Sequence, residues 1–451
     1  MSQSNNTGAP FLVRWVILII ISVAMMGNYY IYDSISPLAD MLKVQLGFSS
    51  TAIGTLNAIY SIPNIFMVLI GGIIIDKIGV RKAGLIFTAL IMFGAVITCL
   101  KGSLIVMATG RLIFGLGAES MIVAITTSIA RWFKGKEFSF AFGINLTVAR
   151  LGSFLALNSP NWAASFYAKG WQFPLFIAAI AGIAAVICMV VFYFADGIAG
   201  KRYHLPKEGN QDKIEWKAIF KFSTSFWFIS MLCIVFYSAM FPFQTFAVMF
   251  FEHSYNLDNG AGGLLSSMLT LAAMIFTPIF GYLSDLVGRR SLFMIIGSLM
   301  IIPLYLMLGY HVDLVSALHL SSTWHVSIKI LSIDAFISPN VLIPMFVMGL
   351  AFAMIPALMW PSVALVVDNS KLGTAYGLMT MIQNIGLVGF NLLIGVVNDH
   401  FQAGAGNPDG YIPGMWLFSM CGVLGIVFSF LLRKSAKTEK GVTLDLPMRK
   451  K

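Results

Sequence analysis

Twelve predominantly apolar stretches, each about 20 residues long, follow one another along this chain with only short polar breaks between them. As helix, 20 residues rise about 30 Å, the thickness of a bilayer's hydrocarbon core. Lipid supplies no water to pair with peptide groups, so each stretch must satisfy its own backbone as helix. A soluble globule has nowhere to put so much apolar surface: 58% of the residues are hydrophobic and 11% charged, against about 25% charged in ordinary domains. The chain reads as an all-α membrane protein.

Orientation follows from the basic residues. The opening MSQSNNTGAP has no basic region, and FLVRWVILIIISVAMMGNYY is followed by no small-residue cleavage site, so this first stretch reads as a retained span and not a signal peptide. With the N-terminus cytoplasmic, 23 of the 29 Lys and Arg fall in cytoplasmic segments, while Lys43, Lys101, Lys169 and Lys329 fall outside. This asymmetry places both termini in the cytoplasm. It also accounts for the net charge of +10 without a nucleic-acid partner. Cys99, Cys188, Cys233 and Cys421 lie within spans at no metal-ligand spacing, so neither a disulfide framework, a metal nor a cofactor is called for.

The breaks after spans 2 and 8 repeat one pattern. Gly72, Asp76 and Gly79 match Gly281, Asp285 and Gly288 at a constant offset of 209, with Arg81 on Arg290. Farther on, FGLG (114–117), AFG (141–143) and RLG (150–152) match MGLA, AYG and NIG at an offset of 234. Roughly 25 residues are therefore inserted between spans 9 and 10, within 312–340, where an irregular loop is expected in preference to a short amphipathic helix. Two parallel six-helix halves follow: a cytoplasmic N-terminal tail over 1–10, halves over 11–196 and 221–433, a linker over 197–220, and a basic cytoplasmic tail over 434–451 expected to be solvated near anionic lipid.

Twelve helices in two halves, with GxxxDxxGxRK and GxxxDxxGRR at corresponding breaks, resemble the major facilitator superfamily. That resemblance implies a transporter whose cytoplasmic gate is held by Asp76, Arg81, Lys82, Asp285, Arg289 and Arg290. Each carboxylate would face a helix N-terminus and pair with the basic residue after it.

Two ionisable residues stand in the middle of their spans. Glu119, in GLGAES, lies 12 residues before the RWFKGKE turn and Arg150 lies 13 after it. At 1.5 Å per residue both are about 18–20 Å from that turn, near the midplane of neighbouring spans. An ionised group there costs about 2.5–3.5 kcal/mol on insertion scales and marks a bundle interior or a watery cavity. Two readings stay open: a direct ion pair that fixes the hairpin, or two charges flanking a cavity for a zwitterion. An extended dipeptide, about 7 Å long, suits the 8–10 Å between adjacent helices. In the second half the matching positions are Ala353 and Asn384, so neutral groups are expected there: Tyr237, Trp360, Gln383 and Asn384. Tyr32 and Asp33, in NYYIYD, are either an interfacial belt or cavity wall, and Arg111 is a helix-packing candidate.

Several segments are similar to the lysosomal dipeptide transporters of this superfamily: FGLGAES, ARWFKGKEFSFAFG, ARLGS, ALMWPSVALVV and KLGTAYGLMTMIQNIGL. The resemblance implies a dipeptide carrier, most simply a uniporter working by alternating access. A peptide's amino terminus would lie near Glu119 and its carboxylate near Arg150. Those relatives use an acidic dileucine sorting signal that MSQSNNTGAP lacks, which points to a plasma membrane or bacterial inner membrane. The animal branch also has an accessory subunit, about which these residues are silent. A proton-coupled carrier of another organic ion is the alternative, and a non-transporting ligand sensor a lesser one. Against an enzyme, there is no HExxH, no nucleophile elbow, and no histidine partner for Ser120; no catalytic residue is assigned.

Overall fold

The computed structural model describes residues 9–133, 136–203, 222–368, 371–439 and 444–447. Among them are 12 helices long and apolar enough to cross a membrane. Spans 1–6 are Phe11–Asp33, Ser50–Ile78, Val80–Leu100, Leu104–Trp132, Lys136–Leu157 and Gln172–Arg202. Spans 7–12 are Thr224–Tyr255, Asn259–Val287, Arg290–Gly309, Pro339–Val366, Leu372–His400 and Ile412–Thr438. Span 6 runs through the start of the expected linker to Arg202; residues 204–220 of that linker lie outside the described residues. Side chains start three of the second-half spans, Ser223 accepting from Phe226 N–H, Asp258 from Ala261 N–H at 2.6 Å and Ser338 from Asn340 N–H at 3.3 Å. Span 10 carries Pro344, Pro356 and Pro361 in its interior, which a buried transmembrane helix tolerates.

The chain gathers into two compact units. One holds span 1 as far as Ser34, Ile59–Ala156, and Lys169 to the end of span 6. Arg14, although near the start of span 1, is buried here and pairs with Glu137. The other unit holds Ile35–Ala58, Leu157–Ala168 and the second-half spans. Its core is aromatic: Phe243 lies edge-on to Tyr305 and Phe418, and the Tyr305 hydroxyl donates to the Ala239 carbonyl at 2.8 Å.

Within this second unit, the start of span 2 meets the end of span 11. The Asp399 carboxylate accepts from the Ser50 and Thr51 N–H groups at 2.7 Å each, capping span 2 from another helix. Beside it the two backbones touch, since a Cβ at Gly54 would come 2.3 Å from the Asn391 carbonyl oxygen. His253 bridges Asp40 at 2.7 Å and the Tyr411 hydroxyl at 2.8 Å.

The insertion is not irregular, as the sequence reading expected. A five-residue helix, Leu314–Leu318, precedes an antiparallel hairpin of β1 (Trp324–Ile328) and β2 (Ile333–Ile337). Alternation explains it: in WHVSI and IDAFI, Trp324, Val326, Ile328, Ile333, Ala335 and Ile337 share one face, with Ile333 and Ile337 buried. His325 and Asp334 pair on the other face.

Gly54→Ala is therefore expected to lower stability by about 1–3 kcal/mol through overpacking, seen as a drop in thermal unfolding temperature. Gly389→Ala, where an added Cβ meets nothing within 4 Å, is expected to leave it unchanged.

Candidate functional site

The last turns of span 1 bring Tyr29, Tyr32 and Asp33 to one face at helical spacing i, i+3, i+4. Around them stand Tyr60 of span 2, Arg111, Phe114 and Glu119 of span 4, and Arg150 of span 5, all within the first unit. Arg111 is 1% exposed. Its guanidinium donates to the Ile31 and Tyr32 carbonyls at 3.1 and 3.3 Å, groups left open where span 1 ends. It also lies 5.1–5.7 Å from the ring centres of Phe114, Tyr60 and Tyr32. Such contacts hold a desolvated cation firmly, so Arg111 is engaged in fixing the end of span 1.

Arg150 is half-buried, with its guanidinium 5.4 Å from the Tyr29 ring centre. Asp33 is buried, beside Ser153 and within the fields of Arg150 and Arg111. Glu119 is half-buried and makes no hydrogen bond or ion pair among the described residues. The ion-pair reading of the 4–5 hairpin is thus not what the structure contains. The site instead holds a carboxylate with no cation on it among the described residues and a guanidinium lying on an aromatic face. Tyr29 and Tyr60 escaped the sequence reading; Tyr29, three residues before Tyr32, was legible as its helical neighbour.

The second-unit candidates form their own cluster. Trp360 Nε1–H donates to the Tyr237 hydroxyl at 2.9 Å, and the Tyr376 hydroxyl donates to the Trp360 carbonyl at 3.3 Å. Asn384 is buried and uses its Nδ2 on the Thr380 carbonyl of its own helix at 3.0 Å. Gln383 is half-buried and makes no hydrogen bond among the described residues.

The turn motifs differ between the halves. After span 8, Asp285 and Arg290 pair at 2.6 Å as the motif implies, and Arg289 begins span 9 in the left-handed region, φ 54°. After span 2, Arg81 pairs with Asp196 near the end of span 6, at 3.5 Å. Asp196 is 1% exposed and also takes Arg131 at 3.3 Å and the Trp132 indole N–H at 2.7 Å. Lys82 is exposed and makes no ion pair among the described residues. Sequence reasoning paired Arg81 within its own loop and missed Asp196, because that partner is over 100 residues away and follows an apolar run. Among the described residues no cluster of three His, Cys, Asp or Glu suits a metal ion.

Twelve membrane-length helices and paired turn motifs are the marks of a membrane transporter, and the model of the Major Facilitator Superfamily matches residues 17–388 and 243–447; the chain belongs to that family. It is an integral, multi-pass membrane transporter and not an enzyme. Among curated proteins it is 29% identical over 398 residues to the lysosomal dipeptide transporter MFSD1 of Bos taurus, covering 86% of this chain and 80% of that one. It is 28% identical over 400 residues to the same-named protein of Homo sapiens, with the same coverage. Solved structures share the fold. They include a bacterial homolog of the human lysosomal transporter Spinster, TM-score 0.71 at 14% identity over 95% of this chain and 98% of that one. The nucleoside transporter NupG gives 0.68 at 15% identity over 94% and 100%.

Asp196→Asn is expected to leave Arg81 and Arg131 without their counter-charge. Breaking a buried pair costs about 3–5 kcal/mol, here reduced because Arg81 is partly exposed. A fall in thermal stability is the expected readout.

Proposed function

We propose that this protein carries dipeptides across a membrane by alternating access, as a uniporter. Glu119 receives the amino terminus and Arg150 the carboxylate. The observation that carries this reading is Glu119: a half-buried carboxylate with no cation on it among the described residues, in a position where an ion normally has a partner. Arg150, resting on the Tyr29 ring, is positioned to exchange that aromatic face for a carboxylate, with which a guanidinium bonds in two-pronged fashion. A zwitterion with its charges a peptide unit or two apart suits a carboxylate and a guanidinium on neighbouring spans. The relatives named as dipeptide transporters support the same substrate class.

Arg111 and Asp33 have supporting parts in this reading. Arg111 fixes the end of span 1, and Asp33 adds negative charge beside Arg150. The Asp285–Arg290 pair and the Asp196 cluster hold the cytoplasmic ends of their helices. The distribution of Lys and Arg supports cytoplasmic termini, and a plasma membrane is the favoured location.

Uptake of a labelled dipeptide into proteoliposomes tests the assignment. Glu119→Gln and Arg150→Ala should each reduce uptake about tenfold or more, the size of one lost charged hydrogen bond. Wild-type uptake in both variants would sink the site. A pH-sensitive dye in the lumen separates uniport from proton coupling: uniport of a zwitterion leaves the lumenal pH unchanged, whereas coupled transport shifts it.

A further inference from the structure

The turn between spans 8 and 9 is gripped by a distant piece of the chain. Residues 444–447 of the C-terminal tail, expected from sequence to be solvated, lie against it. The Arg289 N–H donates to the Asp445 carbonyl at 3.0 Å. The Ser291 N–H and hydroxyl donate to the two carboxylate oxygens of Asp445 at 2.9 and 2.6 Å. Leu444 is 1% exposed. The approach is close enough that a Cβ on Gly288, whose φ is +71°, would stand 2.6 Å from the Asp445 carbonyl oxygen.

Span 9 requires such help. Its N-cap residue is Arg289, whose side chain has no acceptor and makes no cap bond. Helix starts are ordinarily closed by Ser, Thr, Asp or Asn, and a carboxylate there also answers the positive end of the helix. Asp445 supplies from the tail what position 289 lacks. The first half has a counterpart: Arg81, beside the turn after Gly79, is held by Asp196 near the end of span 6. In each half, the third helix is tied by an aspartate contributed at or beyond the sixth.

We propose that the span 8–9 turn is a receptor site for the chain's own tail, taking an apolar residue followed by aspartate, and that Leu444–Asp445 is a releasable strap on that turn. The grip is short, one buried leucine, the polar contacts of Asp445 and the close backbone of Leu446 and Pro447 at Gly288, so a competing peptide of the same chemistry can take its place. The inference is independent of which solute the protein carries.

Hydrogen exchange of the purified full-length protein, read over the Arg289 and Ser291 amides, tests it. Asp445→Asn and Leu444→Ser should each exchange there about tenfold faster than wild type, the effect of losing one charged or apolar anchor. The start of span 3 should exchange unchanged. Adding a synthetic peptide of residues 441–449 to the Asp445→Asn protein should restore protection, and the same peptide carrying Asn at 445 should not. Unchanged exchange in both variants overturns the strap. Failure of the native peptide to restore protection, or equal restoration by both peptides, overturns the receptor site.

Discussion

Hydrocarbon offers nothing to a charge or an open peptide group, and that poverty shapes this protein from end to end. It forces the backbone into helices and makes each interior charge find a partner. Arg111 finds the open carbonyls of span 1, and nearer the turns Arg14 finds Glu137 and Arg131 finds Asp196. Glu119 stands apart because it has no such partner among the described residues. In a structure governed by this rule, an exception is the place to look for a ligand.

The same rule acts at helix ends. Four amides open at the start of each helix, and this protein closes several with carboxylates borrowed from elsewhere in the chain. Asp399 at the end of span 11 closes span 2, and Asp445 closes span 9. These contacts link segments that hydrophobic packing alone would leave free to slide, because apolar side chains in lipid have no directional preference.

Much of this was legible in the sequence. Span number, the parallel repeat, and the Glu119–Arg150 pair as the odd charges followed from length, spacing and the price of burial. What escaped had identifiable reasons. Asp196 joins Arg81 across a long sequence separation that no local motif encodes. The hairpin in 312–340 carried its period-two pattern, but in strands of only five residues, short enough to be mistaken for irregular chain. Asp445 sits in a charged tail whose composition reads as solvated; only the turn it docks on, with arginine at the helix cap, shows why it is held.

Span 10 carries a mechanical consequence of its own. Pro356 and Pro361 lack the N–H groups that would bind the carbonyls of Phe352 and Ala357, so two rungs of the helical ladder are absent within five residues. Trp360, which holds Tyr237 through its indole N–H, lies between them. The helix is therefore most compliant where it presents its largest aromatic side chain, and a small bend there swings the indole through a wide arc. Stiffness, as much as chemistry, is distributed unevenly along this rod.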